Sequence, residues 1–176
     1  MRILGIDPGD KNCGVAVLSG ETCLYHKYLS KDDGIRVIGQ AAQENPVYRW
    51  FMRLKGVCVK NRIETVVYED FVYQGRRTYS KNTMIMCQII GAIRVLRTVG
   101  DVRDIVGIRP DVWRQQLIGN AKAKDDEVSW VIEKRLGIDP LADHGRVRGQ
   151  HVLDAIGVAL CWQDRQSIES RIKEAK

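Results

Sequence analysis

The pattern of apolar and polar residues predicts that the chain opens with three short strands. Apolar segments cover residues 2–7, 14–18 and 22–29, and turn residues separate them at 8–10 and 19–21. Strands joined by such short turns pair as an antiparallel meander. We therefore expect a meander whose first strand ends on Asp7.

The remainder of the chain predicts helices that alternate with two further strands, which is typical of an α/β fold. The predicted elements are, in order, a helical region over 31–61 that Pro46 breaks or kinks, a strand over 64–69, a helix over 80–98, a strand over 104–108, helices from Pro110 and over 125–136, a polar loop over 138–149, and a helix from about 150 into a polar tail at 164–176.

The helix predicted over residues 80–98 is apolar on nearly all sides. Ile85, Ile89 and Leu96 mark one face, while Met86 and Ile93 mark another. A helix of this kind has to be covered on both faces, so we expect one face to pack on the sheet and the other to meet a second subunit. The pattern therefore predicts a homodimer.

Length and composition narrow the class of protein. With 176 residues and 44% hydrophobic content, the chain can bury one sizeable core, so we expect a single domain over residues 1–176. The five cysteines are widely spaced without a Cys-x-x-Cys pair, which argues against a zinc knuckle and a disulfide framework. No apolar run reaches the roughly 18 residues of a membrane span. We expect a cytoplasmic protein without a membrane partner.

The charge distribution favours a polyanionic partner. The formal net charge is +6, and no acidic residue lies between Phe71 and Gly100. The same stretch contains Arg76, Arg77, Lys81, Arg94 and Arg97. A phosphate backbone would be attracted to this segment, although an ordinary solvated basic surface would give the same composition.

Three acidic residues occupy positions where they could meet. Asp7 and Glu69 end apolar strands, and Asp154 lies on the last helix one turn after His151, so that these two share a helical face. Crowded carboxylates repel each other unless cations lie between them. Two hard divalent cations would neutralise the cluster and assist phosphodiester hydrolysis. Taken singly, each residue could equally be a turn or surface acid.

Several motifs resemble the RuvC family of Holliday junction resolvases in their order and spacing. They are Ile3-Leu4-Gly5-Ile6-Asp7-Pro8-Gly9 with Gly14, the strand end at Glu69, the segment Gly119-Asn120-Ala121-Lys122-Ala123-Lys124 followed by Val128, and residues 151–159 on the last helix. The resemblance covers nearly the whole chain. It implies an RNase H-like fold, with a five-stranded mixed sheet flanked by helices.

The resemblance also implies a function and a set of site residues. Asp7, Glu69, His151 and Asp154 would be the catalytic and metal-binding residues, with two Mg²⁺ ions per active site and Mn²⁺ as a substitute. Many members of the family carry an acid where His151 stands, so His151 is either a metal ligand or a general base. The protein would be a homodimer that cuts four-way junctions or other branched DNA in pairs, with a branch-migration motor as a possible partner.

DNA contacts are predicted in two segments. In residues 71–81, Arg76, Arg77 and Lys81 would contact phosphates, and either Phe71 or Tyr73 would stack on an unstacked base. In the second segment, either Lys122 or Lys124 would reach a phosphate; the alternative for both is a solvated loop lysine.

Other functions are compatible with parts of the pattern. Asp-x-Gly after a buried strand also begins sugar kinases and actin-like ATPases, but those proteins need two duplicated lobes. A binding module for branched DNA without catalysis could keep the fold and the basic surface. An RNase H-like nuclease that acts on RNA–DNA hybrids is a third alternative.

Overall fold

The computed structural model describes residues 1–30, 46–70 and 81–175, and within them the side chains of Pro46, Lys81 and Asn82 are not described. The strands are β1 (Arg2–Asp7), β2 (Asn12–Ser19), β3 (Thr22–Ser30), β4 (Thr65–Glu69) and β5 (Asp104–Ile108). The helices are α1 (Pro46–Asn61), α2 (Lys81–Val95) followed by a 3₁₀ turn (Leu96–Thr98), α3 (Pro110–Ile118), α4 (Asp125–Leu136), α5 (Pro140–His144) and α6 (Arg146–Glu174).

The strands form one mixed sheet in the order β3-β2-β1-β4-β5. β1 and β3 pair antiparallel with β2, whereas β4 runs parallel to both β1 and β5. This confirms the five-stranded mixed sheet expected from the resemblance. Since β1 and β4 are parallel neighbours with Ile6 beside Tyr68, their carboxyl ends lie side by side.

The sheet separates two apolar clusters because side chains alternate between its faces. One cluster contains Ile3, Val67, Trp113 and Ile156 and is covered by α3, α4 and α6. The opposite face contacts α1 and α2. Asp7 and Glu69 continue the alternation of Ile3 and Val67, so both acids belong to the face that α6 covers. None of the helices within the described ranges could span a membrane.

Helix α6 lies unusually close to the sheet because two strand positions are glycine. A Cβ atom on Gly5 would stand 1.9 Å from the carbonyl oxygen of Ala155, and one on Gly14 would stand 1.8 Å from that of His151. No side chain fits at either position. The backbone of α6 can therefore rest on β1 and β2, and this contact fixes where His151 and Asp154 stand relative to the strand ends.

The predicted polar loop over residues 138–149 is wrong. The structure forms α5 at Pro140–His144 and begins α6 at Arg146, before the predicted start near residue 150. Asp139 caps α5: its Oδ1 accepts hydrogen bonds from the backbone N–H groups of Leu141 and Ala142. An Asp-Pro pair, with the acid as N-cap and proline in the first turn, was the signal for this helix.

Helix α2 buries one face only. Ile89 and Ile93 are buried together with Leu96, whereas Met84 and Val95 on the other side are 56% and 50% exposed. Ile89 and Ile93 thus share a face, although the sequence pattern assigned them to different faces. Of the predicted helical region 31–61, residues 31–45 lie outside the described part of the chain, and Pro46 stands at the first residue of α1.

We expect Gly14→Ala to lower the free energy of unfolding by about 1–3 kcal/mol, because the added methyl group overpacks the contact between α6 and β2. Gly56→Ala is the matched control. Gly56 lies on α1, and apart from its own helix backbone no atom of the described residues lies within 4 Å of an added Cβ, so alanine there should leave stability unchanged or raise it by up to about 1 kcal/mol. Urea denaturation compares the two variants; equal stability would contradict the proposed close contact.

Candidate active site

Three carboxylates meet on the α6 side of the sheet. Asp7 stands at the end of β1, Glu69 at the end of the adjacent strand β4, and Asp154 on α6 above them. Asp154 is only 7% exposed, and an acid is almost never so buried unless it is paired. The structure therefore brings together the three acids that the sequence analysis selected.

His151 pairs with the first of these acids. Its Nδ1 lies 2.5 Å from Oδ2 of Asp7. The ring of Tyr28 on β3 lies 5.9 Å from the His151 ring, between centroids, and the guanidinium of Arg148 covers Tyr28. With Nδ1 engaged by Asp7, the second ring nitrogen, Nε2, is the atom through which His151 would bind a cation or take up a proton.

Arg114 neutralises part of the cluster, and the sequence analysis did not select it. One guanidinium nitrogen donates to Oδ1 of Asp154 at 2.7 Å and contacts Asp125 at 3.4 Å, while the other donates to the carbonyl oxygen of Ala123 at 2.7 Å. The only signal was one arginine beside a tryptophan in the helix that follows β5. Among 28 basic residues, that signal does not single out Arg114.

Burial controls the pKa values of the carboxylates. It raises the pKa of Glu69 to about 7, with the charge of Asp7 as the second cause. Burial also raises the pKa of Asp7, and it raises that of Asp154 well above its usual range, where the charges of Glu69 and Asp7 add to the effect. The hydrogen bond to Asp7 raises the pKa of His151. Burial therefore opposes ionisation at all three carboxyl groups.

The donor set fits a hard divalent cation. Such ions prefer carboxylate oxygens, and a bound cation would stabilise the ionised form that burial disfavours at all three carboxyl groups. Residues 1–30, 46–70 and 81–175 contain no group of three His, Cys, Asp or Glu side chains already arranged around a metal position. Arg114 supplies a positive charge at Asp154 instead, and Nδ1 of His151 pairs with Asp7.

The predicted DNA-binding residues lie partly outside the described structure. Phe71, Tyr73, Arg76 and Arg77 fall in the gap between residues 70 and 81, and Lys81 begins α2 without a described side chain. Lys122 and Lys124 are exposed on either side of Ala123. Because the Ala123 carbonyl oxygen accepts from Arg114, this lysine segment borders the acidic cluster.

A five-stranded mixed sheet with acids at two adjacent strand ends and on the covering helix defines an RNase H-like fold with a nuclease-type acidic site. A sequence profile described as crossover junction endodeoxyribonuclease RuvC matches residues 3–162. The chain therefore belongs to the RuvC family. This membership decides against the sugar kinase and actin-like ATPase alternatives.

Relatives and solved structures agree along most of the chain. The RuvC endonuclease of Wolinella succinogenes is 26% identical over 166 residues, covering 94% of this chain and 95% of the relative. That of Campylobacter concisus is 26% identical over 163 residues, covering 91% and 94%.

Among solved structures, Thermus thermophilus RuvC in complex with Holliday junction substrate has a TM-score of 0.70 at 23% identity, covering 92% of both chains. The yeast mitochondrial Holliday junction resolvase Ydc2 has a TM-score of 0.63 at 14% identity, covering 91% of this chain and 76% of its own. These likenesses confirm the predicted RNase H-like fold.

We expect Glu69→Gln to stabilise the metal-free protein at pH 8. The folded-state pKa of about 7 exceeds the ordinary value of 4.5, so the folded protein binds more protons than the unfolded chain between these values. The stability contributed by Glu69 is therefore complete below pH 4.5 and lost as pH rises through 7. Removing the charge should raise the free energy of unfolding by up to about 3 kcal/mol at pH 8 and leave it unchanged near pH 4. Thermal unfolding in the presence of a chelator measures the difference.

Glu64→Gln serves as the control of opposite sign. The backbone N–H of Arg2 donates to Glu64 and lowers its pKa, so its replacement should not stabilise the protein at pH 8. If Glu69→Gln behaved like Glu64→Gln, burial would not dominate the energetics of the acidic cluster.

Proposed function

We propose that the protein is a structure-selective endonuclease that resolves four-way DNA junctions, or other branched DNA, by paired hydrolysis of phosphodiester bonds dependent on divalent metal. The observation that carries the proposal is the convergence of Asp7, Glu69 and Asp154 in a chain of the RuvC family. The structure of the Thermus relative with a Holliday junction substrate supports the choice of DNA. Residues 1–176 would act as one nuclease domain.

Asp7, Glu69 and Asp154, with His151, would hold the divalent cations. We infer Mg²⁺, two per active site, with Mn²⁺ as a substitute, because carboxylate oxygens suit hard ions and an imidazole nitrogen tolerates manganese. When bound, such ions supply Lewis-acid stabilisation of the charge that develops on a phosphodiester during hydrolysis. The four residues together favour catalysis over a non-catalytic binding module.

His151 and Arg114 would act beside the cations, His151 as a ligand or proton acceptor and Arg114 as a fixed positive charge. The contact between His151 Nδ1 and Asp7 orients the ring, so that Nε2 is the atom that binds a cation or accepts a proton from the attacking water. Arg114 holds Asp154 in place while no metal is bound. It is also a cation within reach of the position that a phosphate would occupy next to the carboxylates.

The DNA would approach over basic segments that flank the acidic cluster. Lys122 and Lys124 are exposed beside it, and the segment from Phe71 to Lys81 follows directly after the strand that ends with Glu69. We retain the proposal that this segment contacts phosphates and that Phe71 or Tyr73 stacks on a base. A branch-migration motor is a further possible partner.

We also propose a homodimer through α2. Met84, Cys87, Gly91 and Val95 are all exposed and spaced by three or four residues, so they form one stripe along the helix opposite its buried face. A second copy would cover this stripe. A twofold dimer also presents two active sites related by symmetry, as paired incisions across a symmetric junction require.

We expect Asp7→Asn, Glu69→Gln and Asp154→Asn each to abolish cleavage of a four-way junction in Mg²⁺ while leaving junction binding intact. Each amide keeps the shape of the side chain but loses a charge that holds the cation. Cleavage is followed on labelled junctions, with duplex DNA and an RNA–DNA hybrid as parallel substrates, and binding is measured in Ca²⁺ or chelator.

Asp111→Asn is the matched control, since Asp111 is a half-exposed acid on α3 paired with Arg109, away from the three site acids. It should cut at the normal rate. A near-normal rate for any of the three site variants would remove that residue from the proposed site. Preference for the hybrid over the junction would favour the RNase H alternative.

We expect the double variant Met84→Glu/Val95→Glu to sediment as a monomer of 20.0 kDa, whereas the unmodified protein sediments at about twice that mass. Two charges on the stripe would be desolvated in the interface. The control Ile168→Glu/Ile172→Glu changes residues of similar exposure, 54% and 52%, at the far end of α6 and should remain dimeric. Dissociation of the control instead would assign the interface to α6.

A further inference from the structure

The indole of Trp113 is buried directly beneath the acidic cluster. The side chain is 0% exposed, and its Nε1–H donates a hydrogen bond of 2.8 Å to Oε2 of Glu69. A Cβ atom on Gly157 of α6 would stand 2.6 Å from a ring carbon, so this glycine makes room for the ring. The guanidinium carbon of Arg114 lies over the ring, 4.9 Å from its centroid. The ring is therefore held with little freedom.

The chemistry of the indole distinguishes this contact from the other contacts to the acids. An indole N–H only donates; it has no lone pair for a metal ion and carries no charge at any ordinary pH. Arg114, by contrast, brings a positive charge to Asp154 and so repels an incoming cation. Trp113 can therefore stabilise the ionised form of Glu69 without displacing a cation from the carboxylate.

The contact also restricts the geometry of Glu69. A glutamate at a strand end has three rotatable side-chain bonds, and a carboxylate that swings freely pays entropy when it binds an ion. The hydrogen bond ties one oxygen to a ring that cannot move. Outer partners of this type commonly contribute 10–100-fold to metal affinity.

We propose that Trp113 is a positioning residue for the divalent cation, because its indole N–H fixes the carboxylate of Glu69 in the orientation that receives the ion. The inference rests on the proposed function, since it requires a cation at Glu69. Trp113 itself touches neither the ion nor the DNA; it acts through Glu69 alone.

The first test uses the intact protein labelled uniformly with ¹⁵N and ¹³C and titrated with Mg²⁺ in the absence of DNA. We expect the indole N–H signal of Trp113, assigned through the connectivities within its own side chain, to shift and saturate with the ion. In Glu69→Gln the shift should vanish. Backbone amide signals around Asp7 and Asp154 report ion binding independently of the indole.

The second test compares dissociation constants for Mg²⁺ from the amide shifts. Trp113→Phe keeps an aromatic ring but loses the donor, and we expect the affinity to weaken about 10–100-fold. Trp162→Phe is the matched control. Trp162 lies on α6, and its buried Nε1 has no hydrogen-bond partner among the described residues, so its loss should leave Mg²⁺ affinity unchanged.

The outcomes distinguish the positioning role of Trp113 from the proposed cation site itself. If the amide signals shift with Mg²⁺ but the Trp113 indole does not, the positioning role is refuted and the metal site stands. If no signal responds up to tens of millimolar Mg²⁺, both fail. Should Trp113→Phe not fold, the indole shift in the unmodified protein and its loss in Glu69→Gln decide alone.

Discussion

The central constraint on this structure is the burial of three like charges at one end of a sheet. Asp7, Glu69 and Asp154 would each be ionised in water at neutral pH, but together they resist ionisation. The surrounding groups offset that cost in different ways. Arg114 brings a charge, His151 brings a titratable ring, and Trp113 brings a neutral donor. A bound cation would neutralise the negative charge that these three groups do not offset.

Local signals in the sequence predicted most of the strands and helices and the positions of the acids, whereas the RNase H-like fold and the grouping of the site residues came from the family resemblance. The strand ending in Asp7 and the pair His151 and Asp154 on one helical turn are visible in a short window of residues. Arg114 and Trp113 were missed as site residues because nothing local says that α3 turns their side chains toward β4 and α6. Their roles depend on tertiary packing. The ring of Trp113, for example, fits against α6 only because residue 157 is glycine.

The position of α6 is likewise set by tertiary packing, which no short window of the sequence shows. Gly5 and Gly14 belong to motifs that the sequence analysis quoted, but their purpose appears only when the helix is seen against them. The short helix α5 was missed for a different reason. Its five residues are too few for a periodic pattern, and only the N-cap residue Asp139 indicates the helix. Capping chemistry is therefore the better guide for helices of one or two turns.

The ion pair between Arg114 and Asp154 affects how inactive variants can serve as junction traps. Asp154→Asn removes one negative charge from the surroundings of the Arg114 guanidinium, which keeps its contacts with Ala123 and Asp125. Such a trap would still bind junctions, but more of its affinity would come from the attraction of Arg114 for any phosphate, which is unrelated to junction shape. Asp7→Asn leaves the pair untouched, because the partner of Asp7 is His151. Affinities measured with the Asp7 variant will therefore represent the native protein more faithfully.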